Sequence, residues 1–458
     1  MGKVKQESSR YDLLVNQPVE KVIVQMAIPT IISMMISSIY NMADTYFVSQ
    51  LGTSASGAVG IIFSAMAIIQ AISFTIGMGS GNFMARCLGA GQQEKGEQIA
   101  STAFFTGLIT GTIIGGICLF HVEDIVMLLG STETIKPYAV EYARYIFLAT
   151  PFMMCSFIMN NLLRLQGLAI YAMVGITLGG VLNMILDPIF IFGLGMGTSG
   201  AAIATGLSQL ISFTVLLCQC NLRKECISIR LRNFKPSLSL YGQVINGGMP
   251  SLGRQGMASL ATIVLNTTAR PYGDAAIAAM AIVNRFIYMI NSAVIGFGQG
   301  FQPVCGFSFG AKKYDRVKKA FWFCVKSSTA VLLVISVVLF LFSGNIIGLF
   351  RKDDIEVINI GTTALRLQIL TMPLNGYLTM GNMFSQSIGY GVRATILSLS
   401  RQGLFLIPIL VIGEHFFGLI GIQMAQPLAD ICTFIISTLI ILGILKEFTK
   451  REEQAWAQ

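Results

Sequence analysis

Two carboxylates stand inside long apolar runs of this chain, where an ionisable side chain is costly and therefore indicates a functional site. Asp44 follows Tyr40 by four positions, so the two side chains share one face of a helix. Asp187 follows Asn183 at the same spacing, and Pro188 removes a backbone hydrogen bond and frees a carbonyl oxygen beside that acid. Acids with polar neighbours at this spacing could bind a proton or a small cation.

A stripe of small and polar side chains in the next apolar run could complete the same site: Ala201, Thr205, Ser208 and Gln209. If the three runs meet, two carboxylates in a low dielectric cannot both stay ionised cheaply, so they would bind a proton jointly. Alternatively, the oxygen atoms of the two acids, with a threonine hydroxyl and the freed carbonyl, could replace the water shell of a small hard cation. A purely structural role, in which each acid anchors a helix end, stays open.

The elements that must position these residues are membrane-spanning helices. The chain has 458 residues, of which 54% are hydrophobic and 12% are charged, and its mean hydropathy is +0.70. Ordinary globular domains carry about 25% charged residues. Runs long enough to cross about 30 Å of hydrocarbon recur at 22–48, 55–84, 99–120, 138–163, 168–193, 199–221, 242–269, 275–306, 320–348, 357–388, 394–413 and 416–445. We therefore predict an all-α integral membrane protein with twelve transmembrane helices.

The chain repeats itself 221 positions later, and residues 29–100 align without a gap on residues 250–321. The alignment pairs Pro29 with Pro250, Gly52 with Gly273, Gly77 with Gly298, Gly79 with Gly300 and Gly89 with Gly310. An even number of spans per repeat relates two six-helix lobes by a pseudo-twofold axis along the membrane normal, as is typical of alternating-access transporters. We divide the chain into an N-lobe (1–221), a cytosolic inter-lobe loop (222–241), a C-lobe (242–446) and a cytosolic tail (447–458).

Lysine and arginine are concentrated in alternate connections, which predicts that both termini are cytosolic. The loop 222–241 holds five of them, whereas the connections at 49–54 and 194–198 hold none. This asymmetry explains the net charge of +9, so the basic balance indicates no nucleic-acid partner. We expect a multi-pass protein of the cell (plasma) membrane.

No cofactor is expected from the remaining motifs. Glycines alternate at 77–81, but no βαβ context surrounds them, and the counterpart at 298–300 indicates close helix packing instead. Nine cysteines are scattered without zinc spacing, and His121 and His415 stand alone near span ends. The lack of paired histidines or a nucleophile motif also argues against an enzyme.

The fifth and sixth spans resemble those of the MATE family, the multidrug and toxic-compound extrusion transporters. The similarity lies in residues 182–192, which read LNMILDPIFIF, and in residues 197–205, which read GTSGAAIAT. Residues 40–44 with Gly52 resemble the family's first helix, and the Gly-Ala pairs after spans two and eight resemble its loops. The resemblance covers nearly the whole chain and is closest to the DinF-like branch.

This resemblance implies two lobes around a V-shaped cleft and export of organic cations driven by inward H⁺ or Na⁺. It implies an N-lobe cation site on Tyr40, Asp44, Asn183, Asp187 and Thr205, to which the polar stripe adds Ala201. If Na⁺ is the coupling ion, the metal ligands would be Asp44, Asn183, Asp187 and Thr205. A C-lobe cation site of the NorM type is not expected, because the repeat places Leu265 opposite Asp44 and spans seven, eight and ten hold no acid. In the last span, Asp430 is expected to pair with an arginine such as Arg401.

Substrate contacts are predicted from side chains that could form an adaptable wall. Thirty phenylalanines and 23 methionines could supply apolar surface that tolerates varied ligands. The candidates are Met34, Phe63 and Met66 in the N-lobe and Arg254, Asn284 and Arg285 in the C-lobe. The alternative is that these side chains only face lipid or a neighbouring helix.

Together these features predict a secondary active antiporter, not an enzyme, that exports amphipathic, cationic drugs or metabolites by alternating access. We expect it to carry out multidrug and xenobiotic efflux as a monomer in the bilayer. The alternative is a flippase for lipid-linked or anionic amphiphilic substrates, whose phosphates Arg254 and Arg285 could hold.

Overall fold

The computed structural model describes residues 10–223, 226–350 and 354–456, and the regular structure in these ranges is helical. Part of the basic charge used to orient the chain, in residues 1–9 and at Lys224, lies outside them. The first half contains α1 (Val19–Ser49), α2 (Thr53–Gly89), α3 (Gln93–Phe120), α4 (Val122–Leu128), α5 (Lys136–Leu165), α6 (Ala169–Pro188) and α7 (Gly197–Leu222). The second half contains α8 (Leu238–Ala269), α9 (Gly273–Gly310), α10 (Tyr314–Phe350), α11 (Ile355–Thr371), α12 (Leu374–Ser387), α13 (Gly391–Leu399), α14 (Leu406–Phe417) and α15 (Leu419–Trp456).

The prediction of twelve membrane crossings is confirmed. Ten helical segments are long and apolar enough to span a bilayer over the part of the chain that the structure describes. The helix α8 adds a crossing about 48 Å long at 1.5 Å per residue. The consecutive helices α11 and α12, which are interrupted at Met372 and Pro373, form the remaining one. The short helix α4 lies between two crossings and spans nothing.

Two glycines make equivalent turns in the two halves. Gly52 between α1 and α2 has φ of 109°, and Gly273 between α8 and α9 has φ of 85°. Residues with a side chain rarely adopt this left-handed backbone conformation, and no atom lies close enough to crowd a Cβ at either position. Glycine is therefore required here by backbone conformation, and the 221-residue repeat preserves the turn.

Several helices are longer than their apolar runs predicted. The predicted second and eighth spans end at 84 and 306, whereas α2 continues to Gly89 and α9 to Gly310. An apolar run measures only the hydrocarbon thickness, but backbone hydrogen bonds continue a helix beyond it. Two crossings also contain a π-helical turn, at Ile189–Gly193 after α6 and at Ser400–Phe405 between α13 and α14. Neither turn was predicted.

The two halves meet through equivalent pairs of helices. Within the first half, α5 is the central element, and it packs against α2, α3 and α7. Between the halves, α1 packs against α9, and α2 packs against α8. Because α1 and α2 correspond to α8 and α9 in the repeat, these two contacts are related by the pseudo-twofold axis.

The halves approach most closely at one side of the membrane. We call this side the terminal face, where α1 and α8 begin and α2 and α9 end. A Cβ on Gly79 would overlap the backbone of Val244 and Gly248, and its repeat partner Gly300 lies equally tightly against Ala27. Gly89 and Gly310 pack against the other half in the same reciprocal way. The terminal face is therefore closed by backbone-to-backbone contact that only glycine permits.

Substituting Gly79 with alanine should open this closure. The added Cβ has no flexible side chain to displace, so we expect destabilisation of about 1–3 kcal/mol, typical of overpacking. Thermal melting of the purified protein in detergent measures the effect. Gly60→Ala on the same helix is the matched control, because no atom lies within 4 Å of a Cβ there. Equal melting temperatures for the two variants would contradict the role assigned to Gly79.

Candidate functional site

The two acids singled out from the sequence meet between α1 and α6. Asp44 is 8% exposed and Asp187 is fully buried, and their carboxyl groups lie within hydrogen-bonding range of one another. Oδ1 of Asp44 and Oδ2 of Asp187 are both buried without a hydrogen-bond partner among the described residues. Two carboxylates this close repel each other when both are charged, so a proton or a cation between them stabilises the pair.

Polar groups from two further helices support the acid pair. Asn183 Nδ2 donates to Asp187 Oδ1 at 3.2 Å and to Thr205 Oγ1 at 3.3 Å. Tyr142 on α5 is 1% exposed, hydrogen-bonds with Thr205 and lies within electrostatic range of both acids. No motif in the sequence distinguishes Tyr142 from the other tyrosines, although a tyrosine buried in a span requires a partner for its hydroxyl. The predicted convergence of α1, α6 and α7 therefore also includes α5.

Tyr40 lines a small polar cavity beside the acid pair. Its ring fits against α6 because residue 180 is glycine, where a Cβ would come within 2.9 Å of the tyrosine Cδ1. The cavity has a volume of about 30 Å³, which is room for about two water molecules. Its polar walls are formed by Ser37, Tyr40, Ser156, Asn183, Thr205, Ser208, Gln209 and Ser212. The cavity therefore has room for water molecules beside Asn183 and Thr205, next to the acids.

The structure distributes the other predicted site residues over several surroundings. Ala201 is fully buried in an apolar cluster with Tyr142 and contributes no polar side-chain atom to the acid pair. Of the N-lobe substrate candidates, Phe63 is exposed, Met34 is half-buried, and Met66 is half-buried against that same apolar cluster. In the second half Arg285 is exposed, whereas Arg254 and Asn284 are half-buried. The sequence could not show that these side chains occupy separate environments.

The second half holds an ion pair in place of free acids. Arg401 Nε lies 2.8 Å from Asp430 Oδ1, which confirms the predicted pairing. Gln426 Nε2 donates to the same oxygen at 2.9 Å, and Thr371 Oγ1 lies 3.5 Å from Oδ2. Gln426 is the repeat counterpart of Thr205, so the pair occupies a position near the equivalent of the first-half site. Asp430 already has a positively charged partner there, and the arginine leaves it no need of a bound cation.

Comparisons with known proteins identify the fold and its family. A family model described as MatE matches residues 29–189 and 250–412, one match in each half. The chain belongs to the MATE family. The predicted family is therefore confirmed, while the DinF-like branch stays a prediction. As a MATE transporter, this protein is an ion-coupled antiporter that works by alternating access, and it is not an enzyme.

Individual relatives agree along almost the full length. The chain is 27% identical to the multidrug export protein MepA of Staphylococcus saprophyticus over 423 residues, covering 92% of this chain and 93% of the relative. It is 26% identical to MepA of Staphylococcus aureus strain MSSA476, covering 94% and 95%. Among solved structures, an outward-facing multidrug resistance MATE transporter of the MOP superfamily matches with a TM-score of 0.90 and 26% identity, covering 96% and 98%. A MATE protein in complex with MaL6 matches with a TM-score of 0.91 and 26% identity, covering 96% and 99%.

Removing Arg401 should destabilise this transporter more than removing both members of its ion pair. Arg401→Gln leaves the buried Asp430 without its charged partner, a change that typically costs about 3–5 kcal/mol. Asp430→Asn in the Arg401→Gln background should recover much of the loss, because two neutral side chains carry no buried charge. Thermal melting of the purified variants measures both effects. Arg366→Gln, in which the lost Nε donated to Ser343 Oγ, is the control. A double variant that melts no higher than Arg401→Gln would contradict the argument.

Proposed function

We propose that this MATE transporter exports amphipathic organic cations across the plasma membrane in exchange for inward H⁺, which binds at Asp44 and Asp187. The observation that carries the proposal is the pair of neighbouring carboxyl groups, each with a buried oxygen that lacks a partner. A single proton between them removes one charge and supplies the missing donor. Relatives named as multidrug export proteins support a broad range of small-molecule substrates.

The geometry favours a proton over Na⁺ as the coupling ion. Na⁺ would need several oxygen ligands around it, and Asn183 would have to present its amide oxygen. Instead, Asn183 directs its amide nitrogen to Asp187 and to Thr205. A nitrogen donor stabilises a carboxylate or hydroxyl oxygen but repels a cation, so the site is better suited to a shared proton.

Helix α1 connects the acid pair to the contact between the two halves. It carries Asp44, packs against α6 beside Asp187, and packs against α9 of the second half. Ser38, six residues before the acid, donates to Ser292 Oγ across the halves at 3.3 Å. Protonation changes the repulsion between Asp44 on α1 and Asp187 on α6. The position of α1 can therefore differ between the protonated and the deprotonated state. Such a difference gives the ion the unequal affinity for two conformations that coupling requires.

The orientation of the cycle follows from the charged connections. We propose that the terminal face lies in the cytosol, because the basic loops lie on that side. In this arrangement the structure is closed toward the cytosol, and Asp44 would take its proton from the outside. Substrate would then be released outward, and the halves would rock to discharge the proton inward. One copy of the chain contains every residue in this scheme, so a monomer suffices.

Efflux from proteoliposomes tests the function and its ion. A fluorescent organic cation is followed under an imposed pH gradient or an imposed Na⁺ gradient. We expect the pH gradient alone to drive transport, and Asp44→Asn and Asp187→Asn to reduce it by about a hundredfold or more, the lower end of the range for a lost proton-transfer group. Asp124→Asn is the matched control, because this acid is exposed on α4 and distant in the chain from the pair.

Each alternative outcome of this experiment has a distinct meaning. Transport driven by the Na⁺ gradient and not by the pH gradient would retain the exporter but contradict the shared proton. Full activity in both acid variants would remove the coupling role of α1 and α6. No movement of any dye under either gradient, with correctly folded protein, would contradict the proposed substrate class.

A further inference from the structure

Arg164 on α5 is a buried arginine that pairs with no acid in the part of the chain that the structure describes. It is 2% exposed, and only Nη2 makes contacts, with Asn161 Oδ1 and with Met78 Sδ at 3.0 Å. Nε and Nη1 are buried and have no hydrogen-bond partner among the described residues. A guanidinium in this position is costly unless an anion compensates it, because both its charge and its donors have lost water. The unused donors of Arg164 therefore point to a missing anionic group.

A second arginine faces this group from the other half. Arg254 on α8 lies within electrostatic range of Arg164, and among the described residues it has neither a hydrogen bond nor an ion pair. It stands six residues after Gly248, which packs tightly against Thr75 of α2 at the closed terminal face. Six residues of helix correspond to about 9 Å. The two guanidinium groups therefore lie just inside the closure, one from each half, and they repel each other.

Tyrosine side chains connect the arginine pair to the acid pair. Tyr288 of α9 lies within electrostatic range of Arg254 and also of Tyr40, which neighbours Asp44. Tyr288 is 66% exposed, so its side chain is accessible. The basic groups near the terminal face and the acid pair of the first half are therefore linked through Tyr288 and Tyr40.

We propose that Arg164 and Arg254 form an inter-lobe anion site that takes the acid group, a carboxylate or a phosphate, of a transported substrate. This inference rests on the proposed function and narrows its substrate class to amphiphiles that carry both a positive and a negative group. Guanidinium groups present forked donors that match the two oxygens of such an anion.

The site also links substrate binding to movement of the two halves. Each half contributes one arginine, so the halves repel at this point when they approach with the site empty. A bound anion replaces the repulsion with two attractions and supplies acceptors for Nε and Nη1 of Arg164. A substrate bearing an acid group, loaded when the terminal face is open, thereby favours closure of that face behind it.

Two dyes that differ by one charge test the site. Rhodamine B carries a free carboxylate beside its cationic chromophore, whereas its methyl ester keeps the cation and lacks the acid. Fluorescence polarisation measures binding of each dye to the purified protein, and proteoliposomes measure its pH-driven efflux. We expect the wild-type protein to bind rhodamine B more tightly than the ester. In Arg254→Gln the ratio of the ester's Kd to that of rhodamine B should fall about tenfold, as expected for a lost charge-assisted hydrogen bond.

Further variants distinguish the anion site from a general loss of stability. Arg164→Gln should lower the preference in the same way, and the half-exposed Arg254 provides the test if the buried Arg164 variant does not fold. Arg254→Lys, which retains the charge without the fork, should fall between wild type and Arg254→Gln. Arg144→Gln is the matched control, because it removes the same charge from an exposed position near the other end of α5.

The outcomes separate this inference from the proposed function. If wild type transports the ester but does not prefer rhodamine B, or if Arg254→Gln weakens both dyes equally, the anion site is wrong and the exporter stands. If neither dye moves under a pH gradient, the proposed function itself fails. Competition by phosphatidylglycerol, added to phosphatidylcholine vesicles, for rhodamine B binding in wild type but not in Arg254→Gln would assign the site to lipid phosphates. That result would overturn the substrate role.

Discussion

The repulsion between two buried carboxylates is the constraint around which the first half is organised. Asp44 and Asp187 come from helices that are far apart in the chain, and each has an oxygen without a partner. Neighbouring residues reduce this cost only in part, since Asn183 supplies one donor to Asp187. An ion must therefore enter or leave this site whenever its charge changes. Because α1 also forms part of the contact with α9, the proposed change in ionisation of the pair would act directly on the boundary between the halves.

The scaffold is symmetric, but its chemistry is not. Glycines at equivalent positions of the two halves pack against the opposite half at the terminal face, so the backbone contacts there follow the repeat. The polar residues differ. The first half has an acid pair without a basic partner, whereas the second half has Asp430 paired with Arg401. A symmetric scaffold lets both halves rock about a common axis, and under the proposed function the asymmetry would limit ion exchange to the first half.

Much of this organisation could be predicted from the sequence. The twelve apolar runs located the spans, and the 221-residue spacing paired Gly52 with Gly273, where the structure has equivalent turns. Charged residues inside apolar runs identified Asp44, Asp187 and the Arg401–Asp430 pair. Other features depend on which helices touch, and a hydropathy pattern does not contain that information. Tyr142 joins the site only because α5 packs against α7, and Nε and Nη1 of Arg164 lack partners among the described residues only because of which side chains surround them. Several helices were also predicted to end too early, since a helix can continue into water beyond the hydrocarbon layer.

The acid pair (Asp44 and Asp187) and the arginine pair (Arg164 and Arg254) act at different places in the same proposed movement. Protonation or deprotonation at Asp44 and Asp187 changes the force between α1 and α6, within one half. Charge at Arg164 and Arg254 acts between the halves and close to the glycine closure, where small separations change the energy most. In the proposed cycle, the terminal face must not close with neither ligand in place, and repulsion between Arg164 and Arg254 would oppose that closure. A substrate that neutralises the arginines and a proton that neutralises the acids would then act at different stages of one cycle.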